Sequence, residues 1–171
     1  MTARIRHIAL TVQDLDKTAD FYEKALGLKR GKKSEGKTAW RIYMSDGHIN
    51  LALLQYKSEV GSGLKDPSKA VGIHHFGFQC DDMPKQQTQI EKAGGKFFYD
   101  LGDPDDDDFE RKFRDPNGII FDINWKGWTM TASKLSKKQQ AAKQMRNKVT
   151  KIAAASVKTP KKTSKARGKT R

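Results

Sequence analysis

The sequence predicts an α+β fold in which one β-α-β-β-β unit is used twice in tandem, followed by a basic tail that stands apart from it. Three observations point there: an internal match at a fixed offset, turn signals at the same place in each copy, and an abrupt change of charge along the chain. His7-Ile8-Ala9-Leu10-Thr11-Val12-Gln13-Asp14-Leu15 lies over His75-Phe76-Gly77-Phe78-Gln79-Cys80-Asp81-Asp82-Met83 at an offset of 68, which also carries Ala25 onto Ala93 and Gly27 onto Gly95. A period of that length is too long for a solenoid and suits duplication of a half-domain.

Each copy opens with a short apolar run suited to a strand. A helix follows, with Asp16 expected as N-cap in the first copy and Asp82 with Pro84 in the second. Gly27 and Gly94-Gly95 are the expected left-handed stops. Phe21, Tyr22, Ala25 and Leu26 are expected on one face of the first helix, with only Ile90 and Ala93 in the matching places of the second. Strand-like stretches come next, at Ala39–Met44 and Ile49–Tyr56, then at Lys96–Tyr99, Glu110–Phe113 and Ile119–Trp125. Asp46-Gly47 and Asn117-Gly118 are turn signals in front of the last strand of each copy.

Charge divides the chain. Of 34 Lys+Arg, 20 fall in residues 1–128 against all 20 Asp+Glu, whereas residues 129–171 hold 14 and no acid, which accounts for the net +14. A neutral body of residues 1–128 (module one 4–57, module two 72–128) therefore joins a lysine-rich tail. Cys80 is the only cysteine, so no internal disulfide can form and a reducing compartment is expected. No secretory h-region follows Met1, and no apolar run is long enough to cross a bilayer, so a cytoplasmic protein without a transmembrane segment is the expectation. Cys80 replaces Val12 in the repeat, which points to a buried apolar role rather than a reactive thiol. His74 should point away from His75, because adjacent strand residues face opposite sides, and is read as structural. His48 follows a turn and should be exposed.

His7-Ile8-Ala9-Leu10, Phe21-Tyr22-x-x-Ala25-Leu26-Gly27-Leu28, Gly72-Ile73-His74-His75-Phe76 and Asp115-Pro116-Asn117-Gly118 followed by Asp122 together resemble the vicinal oxygen chelate superfamily. That superfamily includes glyoxalase I, methylmalonyl-CoA epimerase, extradiol dioxygenases and bleomycin-resistance proteins. The likeness covers about residues 4–126. Asp46-Gly47-His48-Ile49-Asn50-Leu51-Ala52 and the Gly127-Trp128 ending are similar to lyase- or dioxygenase-type members. The resemblance implies two modules whose sheets form a cupped, incomplete barrel around a divalent metal, with ligands from the first and last strand of each module. Carried over, these are His7, His75 and Asp122, the last in place of the usual Glu. In module one the equivalent of Asp122 is Asn50 or Ala52, depending on one gap; Asn50 could donate a carbonyl oxygen and Ala52 nothing.

Imidazole and carboxylate without thiolate suit Fe(II), Mn, Zn, Co or Ni. Two histidines and one carboxylate match the facial triad of non-haem Fe(II) oxygenases. However, the extradiol pattern also wants a Tyr three residues before the Asp-Pro, where this chain has Lys112. The implied role of the metal is to hold two adjacent oxygens of a small substrate as a Lewis acid. Arg41, Tyr43, Gln55 and Asn124 are candidates to face the cavity. A non-catalytic small-molecule binder is the other class within the family, and a homodimer is compatible with it.

Asp103-Pro104-Asp105-Asp106-Asp107-Asp108 lacks the Gly and terminal Glu of a calcium loop and reads as a solvated turn, or as a dock for the tail. In the tail, residues 131–155 suit a basic amphipathic helix with Leu135, Ala142, Met145, Val149 and Ile152 on one stripe. Residues 156–171 cannot form a core and are expected to be disordered. Lys158, Lys161, Lys162, Lys165, Arg167, Lys169 and Arg171 are candidates for non-specific nucleic-acid binding through phosphate alone, since no aromatic residue follows Trp128.

Overall fold

A computed structural model describes residues 3–60, 62–104 and 109–131. The expected tail helix, the disordered stretch, the nucleic-acid candidates and Asp105–Asp108 lie outside them.

Module one runs β1 (Arg4–Thr11), α1 (Leu15–Leu26), two two-residue strands β2 (Lys29–Arg30) and β3 (Ser34–Glu35), then β4 (Ala39–Ser45) and β5 (Asn50–Tyr56). Module two runs β6 (Gly72–Gln79), α2 (Met83–Lys92), β7 (Lys96–Leu101), β8 (Glu110–Arg114) and β9 (Ile120–Asn124). The second module is the β-α-β-β-β unit as expected; in the first, β2 and β3 share the place of one strand, both pairing with β4. All strands join one unclosed sheet in the order β2-β4-β5-β1-β6-β9-β8-β7, with β3 also on β4. The two opening strands, β1 and β6, lie antiparallel at its centre, and each pairs in parallel with the last strand of its own module. The residues that the duplication repeats are thereby brought face to face.

The helices cover one face of the sheet. Under α1 lies a core of Val12, Leu15, Ala19, Ile42, Met44 and Leu53; under α2 lies one of Cys80, Met83, Phe109, Phe113 and Ile123. Cys80 is thus the small buried residue expected of it. The stripe that α1 buries is Leu15, Ala19 and, in part, Tyr22, not the expected Phe21-Tyr22-Ala25-Leu26 face: Phe21 and Leu26 are 61% and 66% exposed. The helix carries two apolar stripes, and the sheet lies beneath the one continuing from Val12. The N-cap of α1 is also corrected, from Asp16 to Asp14, whose side chain accepts from Lys17 N at 2.9 Å. Asp16, inside the first turn, is held instead by Arg30 and Lys33. Asp82 caps α2 with Pro84 in the first turn, as expected. Gly27 (φ 69°) and Gly94 (φ 91°) take the left-handed conformation that ends each helix.

The opposite face is the concave one. In its module-one half, Ala9, Ala39, Ala52, Leu54 and Tyr56 form an apolar floor. Its module-two half carries Glu110, Lys112 and Asp122, all buried. No helix among the described residues is long and apolar enough to cross a membrane.

Removing the α1 cap tests the corrected boundary. Asp14→Ala should lower the unfolding free energy by about 1 kcal/mol in urea denaturation, whereas Asp16→Ala should leave the midpoint close to wild type.

Candidate metal centre

His7 on β1 and His75 on β6 are 68 residues apart, yet their Nε2 atoms lie 3.2 Å from each other. His75 Nε2 is also 3.2 Å from Asp122 Oδ2 on β9. The structure therefore brings His7, His75 and Asp122 together, with one ligand atom from each within 4.8 Å of the others. All three side chains are buried.

Hydrogen bonds on the far side of each imidazole fix which nitrogen keeps its lone pair. Asn50 Nδ2 donates to the Thr129 carbonyl at 3.0 Å, so its Oδ1 faces His7 Nδ1, 2.8 Å away, and His7 must donate from Nδ1. On the other side, His74 Nε2 is 2.5 Å from the Ser62 carbonyl, which can only accept. His74 Nδ1 then has no proton and must accept from His75 Nδ1, 2.6 Å away. When both rings are neutral, the two Nε2 atoms are thus left as lone pairs aimed at a carboxylate and at each other. Burial, then the neighbouring His75, pushes His7 down to about 3 and His74 down to about 4, which keeps both neutral at ordinary pH.

This cluster could hold a cation. A proton on His75 Nε2 can bridge one gap at a time; a divalent metal can meet all three atoms. Bonds of about 2.1 Å meeting near a right angle separate their ligand atoms by about 3 Å, close to the 3.2 Å of His75 Nε2 from His7 Nε2 and from Asp122 Oδ2, while the set as a whole lies within 4.8 Å. Asp122 Oδ1 is buried and accepts no hydrogen bond among the described residues, so it too has a lone pair to give. The donor set fits a divalent metal of the borderline class.

Asp122 has a second partner. Lys112, directly opposite it on β8, donates from Nζ to Asp122 Oδ2 at 2.6 Å and to Glu110 Oε2 at 3.0 Å. Burial alone would raise the Asp122 carboxyl, but His75 and the Lys112 ammonium outweigh it and hold it well below the usual range. Burial would lower Lys112, yet Asp122 and Glu110 hold it above its ordinary value, so it stays charged. Glu110 is pushed up, chiefly by burial. Its Oε1 accepts from Trp128 Nε1 at 2.6 Å, and the Trp128 indole stacks on His7 with centroids 4.9 Å apart and planes 9° from parallel.

The structure resolves the gap left in module one. Ala9 and Gly77 are equivalent under the offset; Ala9 pairs with Ala52 and Gly77 with Asp122, so Ala52 occupies the position equivalent to Asp122. Asn50 is not at that position, and its oxygen is taken by His7. The expectation for His74 is corrected. The β1–β6 pairing shifts register between Ala9↔His75 and Leu10↔Ile73, and this irregularity breaks the alternation and lets His74 touch its neighbour.

The cavity candidates separate. Tyr43 packs against the apolar floor, and Arg41 lies over its ring while donating to Ser34 Oγ. Gln55 is corrected: it alternates with Leu51 and Leu53 on the helix-bearing side, and donates to the Gln13 carbonyl. Asn124 is also corrected, because its amide is used by backbone: it donates to the Phe109 carbonyl and accepts from Lys126 N and Gly127 N. It shapes the turn that delivers Trp128. His48 is exposed, as expected. Sequence reasoning missed the roles of His74, Glu110 and Trp128. Glu110-x-Lys112 in a strand was the one available signal, since charges two apart point to one face.

Two modules sharing one cup, with paired histidines from their opening strands, define a vicinal-oxygen-chelate protein. The chain belongs to the Glyoxalase/Bleomycin resistance protein/Dioxygenase superfamily, whose family model matches residues 4–123. Among curated relatives, the uncharacterized protein YwbC of Bacillus subtilis (strain 168) is 31% identical over 104 residues, 57% of this chain and 76% of its own length. An ethylmalonyl-CoA/methylmalonyl-CoA epimerase of Cereibacter sphaeroides is 26% identical over 100 residues, 56% of this chain and 75% of its own length. A solved hypothetical protein of Bacillus halodurans C-125 shares the fold with a TM-score of 0.63 at 15% identity, covering 75% of this chain and 98% of that one. Solved methylmalonyl-CoA epimerases are also among the structural neighbours.

The depressed histidines set an acid limit for the metal-free protein. The unfolded chain takes up protons at these residues below about pH 6.5, while folded His7 and His74 resist down to about 3 and 4. Their contribution is therefore complete above about pH 6.5 and declines on acidification, by up to about 1.4 kcal/mol per pH unit for each. Denaturant midpoints measured from pH 7 to 4 should fall steadily, and more shallowly in His74→Phe.

Proposed function

We propose that this protein is a divalent-metal enzyme acting on a small substrate that presents two adjacent oxygens. The observation that carries this reading is the convergence of the His7 and His75 lone pairs on Asp122, each imidazole being held in that tautomer from behind. In this reading His7, His75 and Asp122 are the protein ligands, and Ala52 leaves the fourth family position open to substrate. The bound metal would supply Lewis acidity, favouring an enolate or catecholate over its protonated form.

The chain's own groups then have separate tasks. Asn50 and His74 orient the ligating imidazoles. Lys112 holds Asp122 and balances part of the carboxylate charge. Glu110, on the module-two side of the cup and raised above its ordinary value, would accept a proton from substrate. The epimerases among the relatives favour carbon-acid chemistry of this kind. A dioxygenase reading is favoured by one specific observation, the three-ligand set that Ala52 leaves. Deuterium wash-in from deuterated water next to a substrate carbonyl, compared with dioxygen uptake on catechols by the Fe(II)-loaded protein, separates the two.

Two classes of substitution should behave differently. Protein purified without added metal should hold about one ion per chain by elemental analysis, and His75→Ala or Asp122→Ala should lose it. Asn50→Ala and His74→Ala should keep the stoichiometry at saturating metal but weaken affinity about 10–100-fold in competition with a chelator. Wild-type protein that binds no Mn, Fe, Co, Ni or Zn in such a titration would sink the metal reading.

A further inference from the structure

The lone pairs of the cluster are sealed off: His7 and His75 are 3% exposed and Asp122 is 0% exposed. A substrate reaches them only if some cover moves. The strands that carry or flank the cluster, β1, β5, β6 and β9, are each paired on both sides within the sheet. Residues 125–131, which also cover it, belong to no strand or helix. They turn through two left-handed residues, Gly127 (φ 83°) and Met130 (φ 65°). Side-chain bonds tie this segment to the body: Asn124 Oδ1 to Lys126 N and Gly127 N, Trp128 Nε1 to Glu110, and Asn50 Nδ2 to the Thr129 carbonyl.

The indole of Trp128 fills a slot of definite chemistry. One wall is the His7 ring, parallel to within 9°. Gly77 is shaped to receive the indole, since a Cβ there would come within 2.5 Å of its atoms. At the edge, Glu110 Oε1 accepts the indole N–H.

We propose that Trp128 is a gate standing in the ligand's place: the slot between His7, Gly77 and Glu110 is a subsite for a flat conjugated group bearing an O–H or N–H donor. When the strap swings out about Gly127, that group stacks on His7, its donor meets the Glu110 carboxylate, and its neighbouring oxygens face the two Nε2 lone pairs. Only this last contact rests on the metal reading of the cluster.

The test uses metal-free full-length protein and diethyl pyrocarbonate, with labelling rates read for each histidine by mass spectrometry and exposed His48 as internal reference. In wild type, His7 should label far more slowly than His48. Trp128→Ala should raise the His7 rate about tenfold or more, because the indole that covers His7 and its bond to Glu110 are lost. Trp128→Phe, which keeps a ring but no N–H, and Gly77→Ala, which crowds the indole out, should each raise it by a smaller factor. These two decide the matter if circular dichroism shows Trp128→Ala to be unfolded. Indole at millimolar concentration should restore protection of His7 in Trp128→Ala, and the non-planar alcohol cyclohexylmethanol should not.

Slow His7 labelling in every variant, or wild-type His7 as reactive as His48, overturns the gate. A failure of indole to protect overturns the ligand class. Mn2+ or Co2+ that fails to protect His7 and His75 in the opened variants counts against the metal reading and leaves the gate standing.

Discussion

Two imidazole Nε2 atoms facing each other 3.2 Å apart are the constraint on which the rest of the site depends. Alone, such an arrangement repels, and either ring would flip or take up a proton. Here the flip is opposed from behind, by Asn50 on one ring and by the His74–Ser62 pair on the other, while burial opposes the protonation of His7. Each partner is in turn tied to a backbone carbonyl, so the orientation is set by main chain that the sheet and its loops hold in place. The outer hydrogen bonds hold the two rings in place beside Asp122.

The duplication supplies the symmetry and then departs from it. His7 and His75 are a true pair, but Ala52 and Asp122 occupy equivalent positions with nothing chemical in common. Module one contributes an apolar floor, while module two contributes the carboxylates and Lys112. A buried ammonium between two carboxyl groups is costly to desolvate and is sustained only because its bonds are short and nearly complete. The cup therefore has an apolar half and a charged half, with the histidines on the seam. A ligand spanning that seam would meet different surfaces on its two sides, which a symmetric cup could not offer.

The fold was largely legible in the chain. The offset of 68 aligned the modules, and the turn signals placed the last strands within a residue or two. What went astray locally has simple causes. Asp14 and Asp16 are both competent caps, and which one is used depends on where β1 releases the chain. The face of α1 with the larger residues lost to the one that continues the strand's own apolar line. At the site, His7, His75 and Asp122 were legible through the family resemblance, which two histidines in register and an acid on the last strand carry in one dimension. His74 was not, because strand alternation holds only where the pairing is regular, and the register shift against β1 lies at that residue.

By itself, then, the sequence determined the duplicated architecture, the division between a neutral body and a basic tail, and the three side chains that converge. The first two follow from periodicity and charge counting, and the third from the family resemblance that the motifs carry; none needs knowledge of what lies opposite what. Only the tertiary structure decided that Ala52 rather than Asn50 matches Asp122, that Asn50 and His74 hold the ring tautomers, and that Trp128 lies over His7. Each of these depends on the register between strands far apart in sequence, and a shift of one residue there turns every side chain to the other face of the sheet.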